Sequence, residues 1–246
     1  MLLAIDIGNT NITFGIFSGK KLLKKFDIPT DKLRYATLKK ELGRFKPREA
    51  VICSVVPGAT RHLKGVLSRL SLRPLIIGKD VRVPIKNLYR KPAQVGQDRL
   101  VNAYAVTRLY GAPAVIVDFG TAITFDVVSK NKEYKGGLIV PGLKISLEAL
   151  FQRTALLPQL GLGAPREFIG KDTKSSMLSG IVYGFASLTD QLLTQLKKDT
   201  GKGALALATG GDVSLMARYC RKIDRIDGTL TLKGLNLIYG EAKKNT

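Results

Sequence analysis

Two short segments of the chain carry aspartate, glycine and threonine in the same order: Asp6-Ile7-Gly8-Asn9-Thr10 and Asp118-Phe119-Gly120-Thr121. In each, the aspartate ends an apolar run, the glycine lets backbone come close to a ligand, and the threonine offers a hydroxyl. Backbone amides in such a turn make an anion nest, but the neighbouring carboxylate would repel phosphate unless a cation lies between them. The chemistry indicated is phosphate binding through a metal. A single copy would read as an ordinary β-turn; two matching copies do not. A third turn, Thr209-Gly210-Gly211-Asp212, sets two glycines between an apolar run and a helical pattern. A fourth segment, Tyr89 to Arg99, is a polar loop running into a predicted helix with Asp98 in its first turn. There the helix dipole and free amides favour the carboxylate anion, so Asp98 reads as a cap. With Arg99 beside it, the same residue reads equally as a proton acceptor for a hydroxyl whose substrate also carries a carboxylate.

The elements that must hold these residues alternate between strand and helix. Residues 2–7 and 12–17 are short β-branched or aromatic runs around a Gly-Asn-Thr-Asn turn, which predicts a hairpin, with a third strand over 22–28. A helix capped at Thr30 or Asp31 is expected to run to about Phe45, a buried strand over 50–56 to stop at Pro57-Gly58, and a helix over 61–70 to precede a strand over 75–77. After a polar stretch over 82–92, a helix over 98–110 leads to a strand over 114–118 and a second hairpin. Residues 4–14 and 116–125 align with shared Asp, Gly, Thr, Ile, Thr and Phe once one residue is deleted. This is an internal repeat too long for a solenoid. Helices over 146–153, 176–198, 213–222 and 232–243 and a strand over 204–208 complete the second half, while 154–173 shows no pattern. The expectation is an α/β protein of two duplicated domains, 1–112 and 113–246.

Composition narrows the function classes. The 246 residues are 45% hydrophobic and 24% charged, as in an ordinary globular protein. Two cysteines far apart give neither a disulfide framework nor a cysteine zinc site and suit a reducing, cytoplasmic setting. No basic leader precedes Asp6, and the apolar runs are strand-sized, so neither export nor a membrane span is expected. The net charge of +21 would attract polyanions. Its cations are scattered, however, tryptophan is absent, and aromatic residues do not interleave with the clusters, so solvated faces are the reading and nucleic acid is unlikely. His62, the single histidine, reads as a surface or packing residue and Cys53 as buried. Cys220, amid basic residues, is open to mild activation. Gly180 and Gly184 suit close helix packing, within the chain or at a dimer contact.

Neither GxxxxGK[ST] nor GxGxxG occurs, so the competing nucleotide folds lack their phosphate loop. The segments at Asp6, Asp118 and Gly210-Gly211, in this order, resemble the nucleotide motifs of the actin and hexokinase superfamily. That resemblance implies two actin-like (ribonuclease H-like) domains with a central cleft for ATP. Gly96-Gln97-Asp98-Arg99, Asp118 to Ala122, the stretch 136–142 and the stretch 173–180 narrow it to the type III pantothenate kinase family, over nearly the whole chain. Gln97 stands where the family often has alanine and Asp172 where asparagine commonly precedes the threonine; neither change removes a functional group.

The resemblance implies ATP-dependent phosphorylation of pantothenate to 4'-phosphopantothenate, the entry to coenzyme A synthesis. It makes Asp98 the proton acceptor, with Tyr89, Gly96, Gln97, Arg99 and Thr173 around the substrate. It assigns ATP to Asp6, Ile7, Gly8, Asn9, Thr10, Asn11, Ile12, Thr13 and Thr121, with Gly210 and Gly211 facing adenosine. Asp6 would face magnesium, and Asp118 would bind a monovalent cation, potassium or ammonium. A homodimer is implied, its substrate site completed across the subunit boundary. The competing expectation is a catalytically silent homologue acting as a nucleic-acid-binding transcriptional regulator, since an accessory transcription factor shares the scaffold and the chain is so basic.

Overall fold

Leu2–Ile7 (β1) is buried on both faces, and its alternation decides which residues meet which layer. Leu3, Ile5 and Ile7 join one core with Phe14, Leu38 and Leu63. Leu2 and Ala4 join another with Val101, Tyr104 and Leu235. In this computed structural model, which describes residues 1–244, β1 is the middle strand of a five-stranded sheet. Asn11–Ser18 (β2) and Lys21–Pro29 (β3) continue it as an antiparallel meander on one side. Glu49–Ser54 (β4) and Pro74–Ile76 (β5) extend it in parallel on the other, in the order β3-β2-β1-β4-β5. Tyr35–Leu42 (α1) and Pro57–Ser68 (α2) supply the first helical layer. Pro57 opens α2 at a position where a missing N–H costs nothing, so the residue expected only to end a strand also starts the helix. A two-residue strand, Lys86–Asn87 (β6), lies in the polar stretch, and Gln97–Leu109 (α3) follows.

The second half repeats the plan. Ala114–Phe119 (β7), Ala122–Val128 (β8) and Glu133–Pro141 (β9) form an antiparallel meander. Leu205–Thr209 (β10) and Arg225–Ile226 (β11) add parallel strands beside β7, giving the order β9-β8-β7-β10-β11. The hairpin repeat read from residues 4–14 and 116–125 is therefore a repeat of whole-sheet topology. Leu143–Arg153 (α4), the 28-residue Thr173–Thr200 (α5) and the single turn Val213–Met216 (α6) are its helices. The pattern read as one helix over 213–222 stops at Met216. The stretch without pattern, 154–172, forms no regular element; its Leu157, Leu160 and Leu162 pack on Leu147, Met177 and Leu178.

The chain divides into a first unit, Met1–Leu109 with the residues from Thr229 onward, and a second, Tyr110–Gly228. The last helix, Leu230–Ala242 (α7), does not belong to the second domain as the range 113–246 had it. Its Leu232, Leu235 and Ile238 pack with Leu2, Val51 and Tyr104, and Thr231 Oγ1 donates to Asn102 Oδ1 of α3 at 2.8 Å. A helix that returns to the first sheet leaves no local mark in sequence. Among the described residues, no helix is long and apolar enough to cross a membrane.

Candidate active site

In the first unit the parallel register of β1 and β4 sets Asp6 directly beside Cys53 at the carboxyl ends of both strands. Asp98 comes to the same place from the first turn of α3. Burial pushes the Cys53 thiol well above its ordinary value, and the carboxylates of Asp6 and Asp98 push it the same way. The thiol is neutral and lies within the field of both acids. Two of the predicted carboxylates therefore act on one buried thiol, that of Cys53, a residue the sequence marked only as buried.

Asp98 itself departs from expectation. Burial raises its carboxyl above the ordinary value, against the opposing pull of the Arg99 amide, 2.9 Å from Oδ1, and the Arg99 guanidinium. A helix start alone would have lowered it; here desolvation wins. The consequence is a stronger proton acceptor than an exposed aspartate. Gly96 makes room for this carboxylate, since a Cβ there would lie 2.4 Å from Asp98 Oδ1. Arg99 is buried, Gln97 is half-buried, and Tyr89 is held in its loop by its backbone N–H donating to Asn87 Oδ1 at 2.9 Å.

The β1–β2 turn closes with Gly8 N–H donating to the Asn11 carbonyl at 3.0 Å. Thr30 braces it twice, its hydroxyl donating to the Gly8 carbonyl and its amide to the Thr10 carbonyl. Asn9, Thr10 and Asn11 are exposed there. Ile7 and Ile12, read as nucleotide-binding residues, turn their side chains into the core, so only their backbone is offered. Thr13, opposite Asp6 in the register, donates to Asp27 Oδ1 at 2.6 Å.

In the second unit the corresponding hairpin is one residue shorter, closed by Gly120 N–H to the Ala122 carbonyl at 3.2 Å. Asp118 pairs in register with Thr124 on one side and Thr209 on the other. Backbone crowds this aspartate. Gly210 has φ 100°, and a Cβ on it would fall 2.5 Å from both Asp118 Oδ1 and the Phe119 nitrogen. Gly142, just after β9, is as confined: its N–H donates to the Thr121 carbonyl at 3.1 Å, and a Cβ would fall 2.2 Å from that oxygen. Asp212 follows Gly211 and binds Lys144 Nζ at 2.8 Å. The structure thus gathers Asp118, Gly120, Thr121, Gly210 and Gly211 in one cluster, with Gly142, Lys144 and Asp212 added.

Thr173 begins α5, where Asp172 and Ser175 form a reciprocal capping box. Ser175 N–H donates to Asp172 Oδ1 at 2.8 Å, and that bond lowers the Asp172 carboxyl. Aspartate in place of asparagine is thereby explained as an N-cap.

Compared with known proteins, residues 2–195 match the profile of the type III pantothenate kinase family. The type III pantothenate kinase of Moorella thermoacetica is 40% identical over 97% of this chain and 98% of its own length. That of Geobacter sulfurreducens is 42% identical with the same coverage. The chain belongs to the type III pantothenate kinase family. It is accordingly a kinase, and the match includes every predicted site residue except Gly210 and Gly211, which lie beyond residue 195. Solved structures share the fold at lower identity. A Campylobacter jejuni protein described as a Baf family transcriptional activator superimposes with TM-score 0.62 at 23% identity, covering 98% of this chain and 99% of that one. The activator of 2-hydroxyisocaproyl-CoA dehydratase from Clostridium difficile, with bound ADPNP, gives 0.57 at 13%, covering 99% and 96%. At such identity the likeness is one of fold, the duplicated actin-like architecture, and gives the regulator reading no support over the kinase.

Several residues escaped the sequence reading. Lys144 and Asp212 are 68 positions apart, and nothing local joins them. Asp126 had a visible signal, Thr124-x-Asp126 on one face of a strand: fully buried, it accepts from Tyr134 Oη at 2.8 Å and Thr124 Oγ1 at 3.0 Å. Cys220 is not activated; burial, with Asp190 nearby, pushes its thiol up to about 12. Gly180 and Gly184 have open space over their Cα atoms, so packing within the chain does not explain them. His62 is exposed, its Nε2 3.1 Å from the Leu33 carbonyl, as a surface residue should be.

Proposed function

We propose that the chain transfers the γ-phosphoryl group of ATP to the hydroxyl of pantothenate, giving 4'-phosphopantothenate for coenzyme A synthesis. The observation that carries this reading is that Asp98 lies, with Val55, against Gly96 just past the end of β4, whose Cys53 is in register with Asp6, in a member of a kinase family. Asp98 accepts the hydroxyl proton as the new oxygen–phosphorus bond forms and the bridging β–γ bond of ATP breaks, releasing ADP. Transfer of this kind asks chiefly for alignment and charge neutralisation, so Asp98 also orients the attacking oxygen. Its raised pKa keeps proton transfer favourable once the hydroxyl acidifies. Arg99, Gln97, Gly96, Tyr89 and Thr173 bind pantothenate, with the Arg99 guanidinium opposite its carboxylate. In the first unit the turn from Asp6 to Thr13 binds phosphate; in the second, Thr121 binds phosphate and Gly210-Gly211 admits adenosine.

The donor set fits magnesium, which commonly takes one or two carboxylates plus phosphate oxygens. Asp6 at the end of β1, beside a turn closed through Gly8, supplies one such carboxylate. When bound, the ion neutralises charge on the transferring group. Asp118, with Gly210 close against its carboxylate, would hold potassium or ammonium. A homodimer is supported by apolar side chains exposed on the second unit: Leu156 is 92% exposed, Phe168 68% and Ile169 75%.

The test is ADP formation from ATP and pantothenate in potassium, ammonium or sodium. Turnover with potassium or ammonium and little with sodium is expected; none under any of these defeats the reading. Light scattering should give twice the chain mass, and a monomer would remove the dimer.

A further inference from the structure

At the other end of its sheet from Asp6, the first unit has a cavity of about 420 Å³ whose walls include Arg48, Glu49, Ser71, Arg73 and Tyr239. The β1–β4 register sets Leu2 beside Glu49 at this end and Asp6 beside Cys53 at the other. Four residues of strand separate the two by roughly 13 Å, so this is not the site of Asp98.

The charge around the cavity is lopsided. Glu49, the acidic residue in its wall, is ion-paired to Lys243. Among the described residues, no carboxylate is ion-paired to Arg48 or Arg73. The Lys243 ammonium also lies 5.5 Å from the centre of the Tyr239 ring, so the pair it makes with Glu49 sits at the rim and leaves the two arginines as the net charge. Burial raises the Tyr239 phenol, which therefore keeps its proton and can donate it in a hydrogen bond. The backbone around these groups is fixed. Arg48 N–H donates to the Met1 carbonyl at 3.1 Å, and Leu72 N–H to the Leu67 carbonyl at 3.0 Å, which pins Ser71 at φ 58°. Arg48, Arg73 and Ser71, all exposed, and Tyr239 line one cavity, and together they offer the donors a tetrahedral oxyanion takes, which a planar guanidinium grips with paired bonds.

We propose that this cavity binds a phosphorylated small molecule, its phosphate held bidentately by Arg48 and Arg73 and completed by Ser71 and Tyr239. Its volume exceeds that of a bare phosphate and lies within the roughly 300–1,000 Å³ usual for small-molecule sites, leaving room for an organic part against Leu75.

The probes are inorganic phosphate and pyrophosphate, titrated calorimetrically into the full chain at fixed ionic strength with a non-hydrolysable ATP analogue in excess, so that nucleotide subsites do not contribute. One equivalent should bind. Arg48→Ala with Arg73→Ala should weaken it at least tenfold, and Asp98→Asn should leave it unchanged, which separates this site from the kinase reading. Undiminished affinity in the alanine pair, or no binding by the unaltered chain at millimolar probe, overturns the proposal. Should the alanine pair fail to fold by circular dichroism, Arg48→Lys with Arg73→Lys carries the test. It keeps both charges and loses both forks, and unchanged affinity there is equally fatal.

Discussion

The two hairpins descend from one sequence pattern and sit at the same place in sheets of the same order, yet their surroundings differ. Asp6 has side-chain neighbours: Cys53 beside it, Asp98 acting on the same thiol, and a turn whose Asn9, Thr10 and Asn11 face solvent. Asp118 has backbone neighbours: Gly210 against its carboxylate and against the Phe119 backbone, and Gly142 against its turn. Duplication conserved the geometry that presents an aspartate at a strand end. What each copy then does is decided by the elements laid beside it, α3 in one unit and the β10–α6 turn in the other. The first should be sensitive to changes of side-chain chemistry and the second to changes of shape.

The largest expected effect sharpens the chemical side. Asp98→Asn keeps the shape and removes the proton acceptor, and should lower kcat by roughly 10²–10⁴ while moving KM for pantothenate far less. Steady-state kinetics with both substrates varied check this. A variant within threefold of the parent in kcat would mean that Asp98 is only a helix residue, and the contrast with the second unit would fail.

Shape is tested next. Gly210→Ala places a Cβ 2.5 Å from Asp118 Oδ1 at φ 100°, where the alternatives are a shifted strand end or a displaced carboxylate. It should cost about 1–3 kcal/mol in equilibrium unfolding, more if the backbone cannot yield. Gly8→Ala meets one contact, the Asn11 carbonyl at 3.2 Å, and should cost under about 1 kcal/mol. Equal losses at the two glycines would show that the hairpins are alike after all.

These glycines also mark how far the sequence could be read. The hairpins, the repeat and the positions of Asp6, Asp98 and Asp118 were legible because each rests on local pattern: a strand's alternation, a turn's residues, a helix start. Gly142 was visible only as part of a motif, since its confinement comes from Thr121, a residue on the far side of β8 and β9. The return of α7 to the first sheet was hidden for the same reason, its apolar face being equally suited to either sheet. The direction of the Asp98 shift was misjudged because helix-start electrostatics are local, whereas desolvation depends on everything packed around it.

A smaller effect concerns Lys144, whose ammonium holds Asp212 at 2.8 Å while remaining 61% exposed. With its lysine open to solvent the pair adds on the order of 1 kcal/mol, although the Asp212 side chain is only 12% exposed. Lys144→Ala should leave the unfolding midpoint almost unchanged and alter KM for ATP by less than about tenfold. A loss of kcat as deep as that of Asp98→Asn would place side-chain chemistry in the second unit as well and erase the distinction.

The smallest effect is a change of sign between units. An aspartate in an unfolded chain titrates near 3.8, and burial holds folded Asp98 above that. Between the two values the folded chain keeps a proton that the unfolded chain has lost, so stability falls as pH rises through the window and stays reduced above it. Asp172 behaves oppositely: Ser175 lowers its carboxyl, so its contribution is present at neutral pH and disappears as pH drops below 3.8 toward the depressed value. Asp98→Asn should therefore melt at a higher temperature than the parent at neutral pH, the gap closing on acidification toward 3.8. Asp172→Ala should melt lower, and its deficit should shrink only at more acidic pH. Thermal scans across pH read both. An Asp98→Asn variant that melts below its parent at neutral pH would mean that hydrogen bonds to the carboxylate outweigh its desolvation. Asp98 would then be a cap like Asp172, built for stability rather than for proton transfer.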